Sequence, residues 1–146
     1  MAAQIKTDIR EIVKILREFW KDEATYSEPK FIPLLFFVRN SAGELVGFAY
    51  AHDINDGYFR EIHFDDLYID KRFRNMGYGT TLTESLIKYA KFNRIPSISV
   101  CIDKGNRYTL KLCKKMGFRE NRGHILLHLD LFSRRSSKLS NSQPVT

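Results

Sequence analysis

The chain has 146 residues, which is enough for one domain with a substantial core. Its 43% hydrophobic and 28% charged residues exclude a wholly disordered protein, and its longest apolar run, residues 31–38, is far too short to cross a bilayer. The net charge of +7 includes three cations in a Ser-rich end, so we predict a single domain over residues 1–132 and a basic, disordered tail over 133–146.

The hydrophobic periodicity predicts one helix near the N-terminus, where apolar residues recur at helical spacing after Thr7 and Asp8. Residues 21–33 are predicted to be irregular, and segments 34–38 and 45–52 to form a hairpin across a turn at 40–43. The remaining predicted elements, in chain order, are a turn at 55–57, a strand at 59–70, a helix at 80–93, a strand at 97–103, a helix at 106–116 closed by Gly117, and a final strand at 123–132. This order predicts an α/β fold of the mixed α+β type, in which helices flank a mixed β-sheet and strands 59–70 and 97–103 run parallel.

The cysteines and histidines give no sign of a metal centre. Cys101 and Cys113 lack C-x-x-C spacing, and the four histidines are scattered along the chain. We therefore predict no disulfide framework and no metal. The N-terminus lacks the serial basic, apolar and small-residue regions of a secretory signal, so we expect a cytoplasmic protein without a membrane segment.

A basic, glycine-rich turn at residues 71–80 is the most informative segment, because it follows an apolar strand and opens an amphipathic helix. Glycine lets the backbone approach an anion closely, and the first amides of a helix present hydrogen-bond donors and partial positive charge. The turn is therefore predicted to bind phosphate. It is not a Walker loop, and Leu82 occupies the place of the third glycine in the dinucleotide fingerprint.

The motif that remains, Arg74-x-x-Gly77-x-Gly79, resembles the acyl-CoA pyrophosphate loop of the GNAT superfamily of N-acetyltransferases. Segment 106–118 is similar to the family's "N…A…lYeklGF" helix, and segment 43–49 to its "g.lvGf" strand, in matching order and spacing. The resemblance covers roughly residues 7–132 and implies a GNAT-like central mixed sheet flanked by helices. Only residues 1–6 are available for the family's first strand, so we expect that strand to be short or missing.

The resemblance implies that acetyl-CoA is bound as a co-substrate where two strands splay apart. Its pantetheine arm would hydrogen-bond to the main chain of Leu67, Tyr68 and Ile69 and contact Asn106. Leu67 and Ile69 fit plain core packing equally well, since the contact would use main chain while the side chains are buried. The turn would hold the pyrophosphate, through Arg74, Asn75, Met76, Gly77, Tyr78, Gly79 and Thr80.

Acetyl transfer to an ammonium requires a proton acceptor. Asp65 stands where the polyamine and diamine acetyltransferases of this superfamily carry a glutamate base, in a segment, 63–68, that resembles theirs. We predict that Asp65 is the base, acting through a bridging water, with Glu61 and His63 as reserve bases on the same strand face. The alternative is that Asp65 only solvates the end of the strand. The acidic residues expected to attract a cation to this region are Asp53, Asp56, Glu61, Asp65 and Asp66.

Cys113 occupies the position of the family's usual tyrosine acid, which protonates the departing CoA thiolate. A thiol is acidic enough for that role but reaches less far than a phenol, and a buried cysteine is usually a small hydrophobic residue. Tyr108 cannot simply substitute, because it is five residues earlier and about 140° around the helix. A missing acid predicts a slower or water-assisted enzyme.

Together these features predict an acetyl-CoA-dependent N-acetyltransferase, in which a bound primary amine attacks the thioester directly within a ternary complex. The expected acceptor is a small cationic amine such as a polyamine, or a lysine side chain of a protein, and the sequence is compatible with a homodimer. The main alternative is a non-catalytic acyl-CoA-binding or partner-binding module. A nucleic-acid-binding domain is disfavoured, because the cations concentrate in the glycine turn and the tail.

Overall fold

The computed structural model describes residues 3–5, 8, 10–12, 14–15, 30–57, 59–123, 127, 129 and 131. Residues 10–12 and 14–15 are helical, in agreement with the predicted N-terminal helix. The elements that follow are β1 (Lys30–Arg39), β2 (Leu45–Asn55), β3 (Arg60–Ile69), a 3-10 turn (Lys71–Phe73), α1 (Tyr78–Phe92), β4 (Ile98–Val100) and α2 (Arg107–Lys115). In this part of the chain no helix is long and apolar enough to cross a membrane.

The four strands form one mixed sheet in the order β1-β2-β3-β4. The β1–β2 and β2–β3 pairs are antiparallel, and β3–β4 is parallel, with α1 in the connection between them. Parallel neighbours need such a crossover because the chain must return to the end of the sheet at which the first strand began. The mixed α/β architecture predicted from the element order is confirmed.

One face of the sheet packs against α1 and forms the core. Alternate residues of β2 point to this side, and its two alanines there, Ala49 and Ala51, are fully buried. Leu82 and Leu86 of α1 lie four residues apart, one helical turn, and are also buried. The other buried apolar residues of the cluster are Val46, Ile62, Phe64, Leu67, Ile69, Ala90, Ile95 and Leu112.

A β-bulge interrupts the pairing of β2 with β3. Tyr50 pairs with Asp66 and Ala51 pairs with Phe64, so Asp65 has no partner residue in β2. A bulge of this kind shifts the alternation of side chains by one residue. The buried residues of β3 are accordingly 62 and 64 before the bulge and 67 and 69 after it.

A partly buried ion pair links the β2–β3 hairpin to the end of α1. Asp53 is 2% exposed and accepts two hydrogen bonds from Arg60, from Nε at 3.1 Å and from Nη2 at 2.9 Å. Arg60 also donates to the main-chain oxygen of Asn93, which follows α1. The hydrogen bond with Asp53 is the main cause of the raised pKa of Arg60. Asp53 is thus neutralised on the core side, and the prediction that it helps to attract a cation is wrong.

Several predicted boundaries shift in the structure. Residues 30–33, predicted to be irregular, belong to β1, because β2 extends to Asn55 and pairs with them; Pro33 is tolerated since β1 is an edge strand of the described sheet. The strand predicted at 97–103 is regular only over Ile98–Val100. Residues 3–5 carry no regular structure, consistent with a short or missing first strand. The strand predicted at 123–132 lies largely outside the described residues, and Gly123 is in a turn.

Candidate active site

The chain after β3 forms a tight, cation-rich turn. Asp70 caps the 3-10 turn by accepting the amide of Arg72 at 2.9 Å, and Phe73 donates its amide to the main-chain oxygen of Asp70. The guanidinium of Arg72 also bonds to Asp70 and to Glu44 across the sheet end. The side-chain hydrogen bond from Arg72 is the main cause of the lowered pKa of Asp70. These contacts fix the turn and neutralise Arg72 internally.

The glycine motif ends at the N-terminus of α1. Asn75 and Gly77 both have positive φ, 62° and 85°, and Gly77 is the N-cap of α1. Glycine suits this position because other residues pay a steric cost for a left-handed backbone. The first amide of α1 that bonds backward is that of Thr81, to the main-chain oxygen of Gly77 at 3.0 Å. Within the described chain, the amides of residues 78–80 therefore have no backbone acceptor.

Arg74, three residues before Gly77 in the chain, has only part of its hydrogen-bonding capacity satisfied. Its Nε donates to the main-chain oxygen of Ile69 at 3.0 Å, which holds the side chain against the end of β3. Its Nη2 atom is buried and has no hydrogen-bond partner among the described residues. A buried guanidinium nitrogen without an acceptor is costly, so the site is well suited to an anionic group.

A cleft opens where β3 and β4 separate. Their pairing ends at Phe64 and Val100, and a cavity of about 180 Å³ begins there. Leu67 and Asn106 are among the residues that line it, and Asn106 also caps α2 by accepting the amide of Thr109 at 3.1 Å. Leu67 and Ile69 are each 2% exposed, so their side chains pack in the core as the plain interpretation expected. Beyond Phe64, the edge of β3 that faces β4 is unpaired within the described chain.

Asp65 lies at the mouth of this cleft, between two histidines. Its Oδ2 atom is 2.5 Å from Nδ1 of His52, and its Oδ1 atom is 3.8 Å from Nε2 of His63. His52 and His63 are directly opposite each other in the β2–β3 ladder. Because Asp65 is the bulged residue, its side chain can turn back toward both rings.

The histidines extend the cluster on either side. Nε2 of His52 is 3.1 Å from the hydroxyl of Tyr50, and the ring of Phe31 stacks on His52 with centroids 4.4 Å apart. Nδ1 of His63 is 3.2 Å from the hydroxyl of Ser99 on β4. His63 and Asp65 were predicted from the sequence, whereas Tyr50 and His52 were not. The turn at 55–57 could have revealed them, because pairing Asn55 with Arg60 places His52 opposite His63.

Glu61 and Cys113 lie elsewhere. Both line a larger groove of about 1030 Å³ between β4 and the segment after α2, whereas Asp65 lines the smaller cleft. Cys113 is 2% exposed, and burial raises the pKa of its thiol. The structure therefore brings His63 to Asp65 but places neither Glu61 nor Cys113 in the cleft lining. Asp66 does line the cleft, and Asp56 caps the β2–β3 turn by accepting the amide of Phe59 at 2.7 Å.

Comparison with known proteins supports the interpretation of this fold. Residues 7–118 match the model of the acetyltransferase (GNAT) family. No curated protein matches the chain.

Solved structures give the same answer for the fold. A crystal structure described as a probable acetyltransferase is similar over 86% of this chain and 78% of its own, with a TM-score of 0.61 and 16% identity. An acetyltransferase from Bacillus cereus is similar over 82% and 83%, with a TM-score of 0.57 and 19% identity. An aminoglycoside acetyltransferase from an uncultured soil metagenomic sample is 28% identical and covers 77% of this chain and 69% of its own, with a TM-score of 0.56.

Proposed function

The chain belongs to the GNAT family of acetyltransferases, and from this premise we propose that it transfers the acetyl group of acetyl-CoA to a primary amine within a ternary complex. One observation carries the proposal. The glycine turn directly after β3, the cleft between β3 and β4, and the acid–base cluster (Tyr50, His52, His63 and Asp65) follow one another along β3 and its C-terminal end. An extended thioester would meet them in that order.

The residues of the chain fit the co-substrate. The unbonded amides of residues 78–80 and the unsatisfied Nη2 of Arg74 would hold the pyrophosphate, with Asn75, Met76 and Gly77 completing the turn. The open main-chain edge at residues 67–69 would bind the pantetheine arm as an added strand would be bound, and Asn106 would contact it from α2. When bound, acetyl-CoA supplies the activated acetyl group.

The acceptor is proposed to be an ammonium, either of a small cationic amine such as a polyamine or of a lysine side chain. Asp65 and Asp66 are exposed at the cleft mouth and are not neutralised there by any arginine or lysine of the described chain. Carboxylates in that position attract a cation and can receive its proton. We propose Asp65 as the residue around which proton removal is organised, with His63 in reserve; Glu61, the other predicted reserve base, lines the larger groove.

Cys113 is the candidate acid for the leaving thiolate. The raised pKa of Cys113 keeps the thiol protonated at neutral pH, which an acid needs, but its position in the other groove requires a path through water. A thiolate of this kind can also leave unassisted. Replacement of Cys113 by Ala is therefore expected to lower turnover only modestly, whereas loss of several orders of magnitude would assign it the acid role.

The test is the release of free CoA from acetyl-CoA across polyamines, small amines, amino acids and lysine peptides, with calorimetric binding of acetyl-CoA alongside. We expect turnover on at least one ammonium and a loss of about 10²- to 10⁴-fold in kcat for Asp65→Asn. Glu84→Gln is the matched control, because Glu84 is an exposed carboxylate on α1 that does not line the cleft. Tight binding of acetyl-CoA without turnover on any amine would favour the non-catalytic module instead.

A further inference from the structure

The shortest side-chain contact in the cluster joins His52 to Asp65, and it suggests that Asp65 does not work alone. We propose that Tyr50, His52 and Asp65 form a proton relay, in which His52 stores the proton removed from the amine, Tyr50 conducts it and Asp65 positions the imidazole. This inference rests on the proposed function, because it assigns the proton acceptor of that same reaction.

With an ionised Asp65 and a neutral His52, the two contacts of the imidazole allow one arrangement of the protons. An ionised carboxylate can only accept, so the hydrogen of a neutral His52 lies on Nδ1 and points to Oδ2 of Asp65 at 2.5 Å. Nε2 then carries the lone pair and accepts from the hydroxyl of Tyr50 at 3.1 Å. The oxygen of Tyr50 keeps its own lone pairs free to accept a proton from the substrate. The three groups therefore form a continuous path toward the imidazole.

The path borders the cleft at Asp65, which lines it; Tyr50 and His52 are not among the lining residues and lie behind Asp65. Tyr50 pairs across the ladder with Asp66, which lines the cleft next to Asp65. His63 is not equivalent to His52, although the two are cross-strand partners. Its Nε2 lies 3.8 Å from Asp65, beyond hydrogen-bond distance, and its Nδ1 is shared with Ser99.

The reaction balances along this path. An ammonium N–H proton passes to the oxygen of Tyr50 while the hydroxyl proton of Tyr50 passes to Nε2 of His52, which leaves an imidazolium facing the carboxylate of Asp65. The free amine then forms the C–N bond to the acetyl carbon, the C–S bond breaks, and its electrons leave on sulfur. The second amine proton goes to that thiolate, and His52 returns its proton to water.

Two substitutions test the relay, beside one comparison and one control, and calorimetry separates binding from chemistry. We expect His52→Gln and Tyr50→Phe to lower kcat by about 10²- to 10⁴-fold and roughly 10-fold respectively, and to leave the dissociation constant of acetyl-CoA unchanged. His63→Gln is the comparison for His52→Gln, and we expect it to lower kcat by a smaller factor. Tyr89→Phe is the control for the loss of a hydroxyl, because Tyr89 packs edge-on to Phe36 on the core face.

A double-mutant cycle and chemical rescue distinguish a proton acceptor from a structural residue. If Asp65 acts through His52, then Asp65→Asn combined with His52→Gln will be no slower than the worse single variant. Imidazole added to His52→Ala is expected to restore part of kcat, since the ring of Phe31 forms one wall of the vacated space. A purely structural role predicts no rescue.

The outcomes separate the two proposals. Turnover by the wild type with full activity in His52→Gln would overturn the relay and leave the acetyltransferase intact, with Asp65 as its direct base. Additive losses in the double variant would overturn it in the same way. Acetyl-CoA binding without turnover by the wild type on any amine would overturn both.

Discussion

The charge of a single side chain at Gly77 should decide whether the turn binds phosphate. A Cβ added there meets no atom within 4 Å, so the Cβ of Gly77→Glu or Gly77→Gln has room, and the two side chains have nearly the same size. Both variants place a non-glycine residue at a φ of 85°, which costs about 1 to 2 kcal/mol of stability. The strain and the bulk are shared, and only the charge differs between the two variants.

The size of the charge effect follows from Coulomb's law. At about 6 Å, with an effective dielectric constant between roughly 20 and 80, two unit charges repel by about 0.7 to 2.8 kcal/mol. A pyrophosphate with about two charges would therefore lose about 3 kcal/mol of binding free energy to the glutamate, roughly 100-fold in affinity. Raising the ionic strength should reduce the difference in acetyl-CoA affinity between the two variants, because the turn is exposed to solvent and salt screens the repulsion.

The assay is calorimetric titration of acetyl-CoA into both variants and the wild type at low and high salt. We expect the affinity for acetyl-CoA to decrease from the wild type to Gly77→Gln and again to Gly77→Glu. The difference in affinity between the two variants should be larger at low salt. Equal affinities for the glutamine and glutamate variants at low salt would refute the phosphate assignment, whatever either variant does relative to the wild type.

Three further predictions concern the scaffold. Gly47→Ala should destabilise the protein by at least 1 to 3 kcal/mol on thermal unfolding, because the added Cβ would lie 2.4 Å from the main-chain oxygen of Tyr68; an unchanged Tm would contradict this close approach. Leu86→Ala should lower the free energy of unfolding by about 2 to 5 kcal/mol in urea titration, since Leu86 is fully buried, and a loss below about 1 kcal/mol would mean that α1 does not cover the sheet as described. A thiol reagent should label Cys101 quickly and Cys113 slowly in mass spectrometry, because Cys101 is exposed while burial raises the pKa of Cys113; equal rates would contradict that burial.

The parts of the fold that depend on local pattern were predictable. Alternation gave β2 and β3, and helical periodicity with Gly117 gave α2, because these signals are written in adjacent residues. The start of β1 was missed, since residues 30–33 become a strand only through pairing with the far end of β2. Pairing of this kind is a property of two segments, and neither segment reveals it alone.

The candidate site was predictable in its turn and less so in its acid–base cluster. The glycine spacing pointed to the helix N-terminus at Gly77, and its positive φ agrees with that interpretation. The acidic cluster divided in a way that the sequence did not reveal. Asp53 faces the core and pairs with Arg60, while Asp65 faces the opposite side of the sheet. The sequence did not show this difference, because the composition of a segment does not say which face of a strand each carboxylate occupies.

The bulge at Asp65 explains how β3 contributes both core side chains and the polar side chains of the cluster. Without it, strict alternation would place Leu67 and Ile69 on the same face as His63, exposed beside the acid–base cluster, and the sheet would lose two core side chains. With one extra residue, His63 stays on the open face, Leu67 and Ile69 enter the core, and Asp65 is released from pairing with β2. On β3, the main chain after Phe64 is then unpaired on the side that faces β4, while the carboxylate of Asp65 contacts His52. A carboxylate at position 64 or 66 would be paired with β2, because both of those positions belong to the ladder. The unpaired position of Asp65 is therefore what allows its side chain to reach the cleft mouth.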